Sequence, residues 1–100
     1  MKVIFWVIIL IGLLPLTASG SDTNDYIQGR ALAATCTGCH GTDGRGQGGI
    51  PNISGWERKV FVDRMLYFKS GNAQATLMHQ IAPGYTLEQI NLMAQYFSKK

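Results

Sequence analysis

Two thiols three positions apart, Cys36 and Cys39, are followed directly by an imidazole, His40. This run, Cys36-Thr37-Gly38-Cys39-His40, has the C-x-x-C-H pattern of covalent c-type haem attachment. The chemistry sets the spacing. Each thiol adds across one vinyl group on the same edge of a porphyrin, so both must project to one side within a single helical turn. The next side chain then reaches beneath the ring and offers a nitrogen to the iron. Thr37 and Gly38 are small enough to let the backbone lie against the haem edge. A thiol–disulfide redox pair would instead sit near a βαβ pattern, and no strand pattern is present. A zinc site needs more ligands than two cysteines and a histidine crowded against them.

An iron held on one side can sense or catalyse, whereas an iron held strongly on both sides carries electrons. The second axial ligand therefore decides the class of function. Candidates after His40 are Met65, Met78, His79 and Met93. Met65 and Met93 lie in or beside apolar helical stripes, where methionine commonly fills core space. Met78 and His79 precede Pro83-Gly84 in a short segment able to fold over the other haem face. A thioether there raises the potential, and a second imidazole lowers it. Residue types alone leave these two neighbours open.

The elements that must position these groups read as helices. Tyr26 to Thr35, with Ile27, Ala31, Leu32 and Ala34, forms a first helix that delivers Cys36, after a loose polar lead over Ser21 to Asp25. Gly29 inside it weakens the helix by about 1 kcal/mol relative to alanine, which points to a backbone passing closely. Gly41 to Gly49 holds five glycines and reads as a loop. It lacks the preceding strand and the Gly-Lys-Ser/Thr ending of a phosphate cradle. Pro51 closes it, and the Pro51 carbonyl is the favoured acceptor for the second ring nitrogen of His40.

Phe61, Val62, Met65, Leu66 and Phe68 mark an amphipathic helix ending at Gly71, and Ala75 to Ile81 a short third one. Thr86-Leu87-Glu88-Gln89 is a capping box that opens a last helix. Its stripe is Leu87, Ile90, Ala94 and Phe97, flanked by Met93 and Tyr96. Lys99 and Lys100 complement the negative end of its dipole. The expected fold is all-α.

One hundred residues allow a single domain. Lys2, the apolar run from Val3 to Leu14 and the small residues Thr17 to Ser21 read as a secretory signal peptide over 1–20. The run is shorter than the roughly 20 residues a spanning helix needs, so no membrane attachment is expected after cleavage. That leaves a domain over 21–100, exported to the periplasm. At this size a single apolar core is marginal, and a covalently held haem acts as a staple. Nine basic residues less Lys2 leave eight against six acidic ones, a balance of +2. No basic run or aromatic platform suggests nucleic acid. Both thiols are consumed by the haem, as suits an oxidising compartment.

From Gly29 to Phe97 the chain resembles a class I c-type cytochrome. The matching residues are Gly29-Arg30-Ala31-Leu32-Ala33-Ala34, the Cys36 motif, Pro51-Asn52-Ile53-Ser54-Gly55, and Leu87 to Phe97. Phe68-Lys69-Ser70-Gly71, Thr76-Leu77-Met78-His79 and Ile81-Ala82-Pro83-Gly84-Tyr85-Thr86 are similar to the cytochrome subunit of flavocytochrome c sulfide dehydrogenase and to the cytochrome c4 and c553 groups. The resemblance implies three to four helices wrapped around one haem c, with the first and last crossing so that Gly29 and Leu32 meet Tyr96 and Phe97. It also implies iron ligation by His40 and Met78, the latter four residues before the matching Ala82. Trp56 is implied as a donor to a haem propionate. The function implied is electron transfer between redox partner proteins, without catalysis of its own, or as the haem subunit beside a sulfide-oxidising flavoprotein. Two departures stand out. The resembled subunit commonly holds two haems and this chain has one motif, and Pro83 stands where a lysine is expected.

Overall fold

A computed structural model describes residues 20–100. The expected signal peptide falls on the stretch up to position 19, outside the described residues. Four α-helices span Gly20–His40 (α1), Arg58–Lys69 (α2), Met78–Ile81 (α3) and Leu87–Ser98 (α4), with 3₁₀ turns at Thr42–Gly44 and Ala82–Gly84. Among the described residues the only extended pairing is an isolated bridge between Gln47 and Ile50.

α1 is twice as long as its apolar spacing suggested. Ser21 to Asp25, expected as a loose lead, is helical, with no proline to break it and with Asp22 in its first turn. At the other end the helix runs through the whole Cys36–His40 motif. Thr35 and Thr37 turn their hydroxyl protons back onto the carbonyls of Leu32 (2.7 Å) and Ala34 (2.9 Å), one turn earlier in the same helix. Gly41 stops it. Its φ of 87° and ψ of 169° lie in a region essentially closed to side chains. Its amide still bonds to the Thr37 carbonyl at 3.0 Å.

α4 begins as its capping box requires. Thr86 Oγ1 accepts from the Gln89 amide at 3.1 Å, and Gln89 Oε1 accepts from the Thr86 amide at 2.9 Å. Ile90, Met93, Ala94, Tyr96 and Phe97 form its buried face. Leu87, placed in that stripe by its spacing, is 53% exposed and lines an open hollow with Asp25, Arg58 and Asn91. The core also takes Ala33 of α1, Phe61 and Met65 of α2, and Ile53 and Ala82 of the connecting segments. Phe61 stacks on Phe97 with ring centroids 5.6 Å apart. Leu66 stays largely outside.

α1 and α4 cross at Gly29. A Cβ there would stand 2.6 Å from the Leu92 carbonyl oxygen and 3.5 Å from Tyr96 Cβ, so only glycine permits this approach. The third helix is shorter than expected. Ala75 to Leu77 stays irregular, and the chain after Ile81 tightens into a 3₁₀ turn containing Pro83.

Candidate haem site

The last turn of α1 presents Cys36 half-buried and Cys39 exposed, both free thiols. Burial pushes the Cys36 thiol up from its ordinary pKa. The Thr35 hydroxyl, 3.9 Å from its sulfur, partly offsets this, and Cys39 adds to the rise.

His40 ends the helix, and its Nδ1 lies 2.7 Å from the Pro51 carbonyl oxygen. A carbonyl can only accept, so Nδ1 carries the proton and Nε2 keeps the free lone pair. The glycine loop brings Pro51 to that point. Its closing bonds run from the Gly46 amide to the His40 carbonyl (2.5 Å) and from the Ile53 and Ser54 amides to the Gly44 carbonyl (2.7 and 3.1 Å). Gln47 Nε2 adds a bond to the Gly38 carbonyl at 3.3 Å. The Gly55 amide, bonded to the Phe97 carbonyl at 2.8 Å, ties the end of this segment to α4.

Met78 opens α3, half-buried, and packs on the same core cluster as Cys36 and Trp56. Beside it, His79 has a buried Nδ1 with no hydrogen-bond partner. Met65 and Met93 are 5% and 0% exposed within the core, the place their stripes assigned them. Trp56 is half-buried. One side packs on the core, and the other lines an open hollow with Val60, Asp63, Arg64 and Tyr67.

One arrangement had no signal in the sequence. The Tyr85 hydroxyl lies 2.6 Å from Thr35 Oγ1. Since Thr35 spends its only proton on the Leu32 carbonyl, Tyr85 is the donor. The Tyr85 carbonyl in turn accepts from Lys69 Nζ. The segment after α3 is thereby strapped to α1, one residue before Cys36, and to the end of α2. A hydroxyl pair fifty residues apart leaves no periodic or motif trace, and the Gly84-Tyr85-Thr86 turn before the cap was its nearest clue.

These groups fit an iron porphyrin: two thiols on one helical turn, an imidazole whose Nδ1 is held by a backbone carbonyl so that Nε2 is free, and a thioether beside an orphaned imidazole nitrogen in a segment packed on the same core as Cys36. Among the described residues no group of three or more His, Cys, Asp or Glu could hold a bare metal ion.

Residues 26–99 match the family model for cytochrome c. Over 70 residues the chain is 41% identical to the cytochrome subunit of sulfide dehydrogenase from Chlorobaculum tepidum, covering 70% of this chain and 64% of that one. It is 32% identical over 80 residues to cytochrome c-554(548) of Halomonas halodenitrificans, covering 76% of this chain and 96% of that one. Among solved structures, cytochrome c4 of Acidithiobacillus ferrooxidans superposes with a TM-score of 0.66 at 30% identity, over 82% of this chain and 51% of that one. The chain thus spans under two thirds of the sulfide dehydrogenase subunit and about half of the cytochrome c4.

Proposed function

The chain belongs to the cytochrome c family, and from that premise we propose that it is a single-haem electron carrier of the periplasm. Residues 1–20 act as the export signal, and 21–100 form the haem domain. Cys36 and Cys39 hold haem c by thioether bonds, each S–H adding across a vinyl group with no oxidant required. His40 and Met78 would hold its iron. Bound in this way, the haem supplies one-electron chemistry at its iron.

The chain's own residues keep that change small in structural cost. Pro51 holds the His40 ring in the tautomer that leaves Nε2 free and resists rotation about the ligand bond. Met78 offers a neutral thioether, which favours the reduced iron and raises the potential. The Tyr85 hydroxyl ties the segment after Met78 to α1, and its carbonyl ties it to Lys69 at the end of α2. Trp56, just ahead of α2, would donate its indole N–H to a propionate.

The observation that carries this reading is the 2.7 Å bond from His40 to Pro51, directly after two free thiols one turn apart. Extraction of the denatured protein with acid acetone tests it, the red colour staying with the polypeptide. Colour passing into the solvent rejects the covalent tether.

A second reading is favoured by the 41% identity to the sulfide dehydrogenase cytochrome subunit. In it, the same haem accepts electrons from a flavoprotein subunit that oxidises sulfide. Co-purification with a flavoprotein and sulfide-dependent haem reduction support it, and reduction by other cytochromes alone removes it.

A further inference from the structure

Apart from the largely core-facing run 89–98, three long stretches of residues 21–100 are free of charge. After position 20 there are eight basic and six acidic residues, and none of them falls within 31–42, 46–56 or 70–87. The third is remote in sequence from the first two, and the three meet around the last turn of α1. Pro51 lies 2.7 Å from His40, Gln47 bonds to Gly38 at 3.3 Å, and Tyr85 bonds to Thr35 at 2.6 Å.

The surface they make is open. Gly38, Cys39, Gly48, Gly49 and Gly84 are exposed, and the three stretches carry three exposed aliphatic side chains, Ile50 at 38%, Leu77 at 48% and, at the far end beside Asp25 and Arg58, Leu87 at 53%. The charges that border these stretches in sequence include Asp43 and Arg45, which face each other at 3.8 Å with Arg45 still 76% exposed, and Lys69, which is turned onto the Tyr85 carbonyl.

We propose that this uncharged collar around Cys39 is the docking face for a redox protein whose own contact rim is uncharged and apolar. The proposal rests on the reading of residues 36–40 as the haem attachment. A partner with a charged rim would strip water from its charges against backbone and aliphatic groups that return no ion pair. An uncharged rim loses only weakly held water over Ile50 and Leu77. Docking of this kind forgoes electrostatic steering, so its rate is nearly independent of salt.

Electron self-exchange between ferric and ferrous holoprotein, measured by NMR line broadening, is the test, because a second copy presents the same collar. The rate should change less than about threefold between roughly 10 and 500 mM NaCl, whereas Ile50→Lys and Leu77→Lys should each slow it about tenfold at low salt and make it climb with salt. Ile27→Lys is the control. Ile27 is 59% exposed and about 18 Å along α1 from Cys39, and its variant should stay within about twofold of the parent. Equal slowing by Ile27→Lys, or a parent rate that itself rises tenfold with salt, overturns the collar in a protein that holds its haem. A product without covalent haem overturns the reading beneath it as well.

Discussion

The two sides of the candidate site are built differently. On the side of His40, a helix of 21 residues runs into a loop closed by backbone bonds, and every turn of that loop is tied to its neighbour or to α4. On the side of Met78, a helix of four residues follows an irregular stretch and precedes a 3₁₀ turn. Its long-range hydrogen bonds are those of a single residue, Tyr85, to Thr35 and Lys69. A ligand on the first side is held by local backbone closure and, in the proposed function, by two covalent neighbours. A ligand on the second side is held by tertiary contacts, and so is the one that yields first.

The sharpest way to break that contrast is Met78→Ala. It should abolish the weak methionine–iron charge-transfer band of the ferric protein and lower the midpoint potential, while the haem stays bonded to Cys36 and Cys39. Uptake of His79 in its place would give the spectrum of a bis-imidazole haem. A parent protein without the band would transfer the ligand role away from Met78.

Next in size is Gly41→Ala on the His40 side. A side chain at φ 87° and ψ 169° is strained by about 1–3 kcal/mol, and its Cβ would also stand 3.0 Å from the Gly46 carbonyl oxygen. Denaturant unfolding should report this loss without faster displacement of Met78 by imidazole. Faster displacement would mean that the two sides are not separable.

Tyr85→Phe removes the bond to Thr35 and leaves the Lys69 bond to the backbone carbonyl in place. Losing one hydrogen bond of this type costs about 0.5–1.5 kcal/mol, so imidazole should displace Met78 about 2–10 times more readily. Thr35→Val should do the same, and the double variant should add little further, since both remove one interaction. Strict additivity would show that the bond does not couple the segments. The smallest effect is expected from Thr86→Ala. It loses the cap of α4 at about 1 kcal/mol and lowers Tm by about 4–8 °C with both ligand sides unchanged.

Several of these elements were legible from residue order. The motif at Cys36–His40, the close approach at Gly29, the core roles of Met65 and Met93 and the cap at Thr86 all depend on interactions spanning one turn, or on steric limits of one residue type. Such signals are local, and folding leaves them intact. The Pro51 carbonyl was within reach for the same reason, eleven residues from the ring it meets.

Where reading the chain fell short, the deciding interaction was remote. α1 extends to Gly20 and through His40 although apolar spacing marked only its middle, because the ends of that helix are stabilised by backbone bonds and hydroxyls rather than by a buried stripe. Leu87 fits its stripe and is exposed, since a periodicity cannot say whether a neighbouring element covers a given position. The order of residues settled which side chains do the chemistry and that helices hold them. The meeting of three uncharged stretches around Cys39, and the bond from Tyr85 to Thr35 across fifty positions, came from packing alone, because hydrogen bonds between distant segments depend on where the core places each backbone.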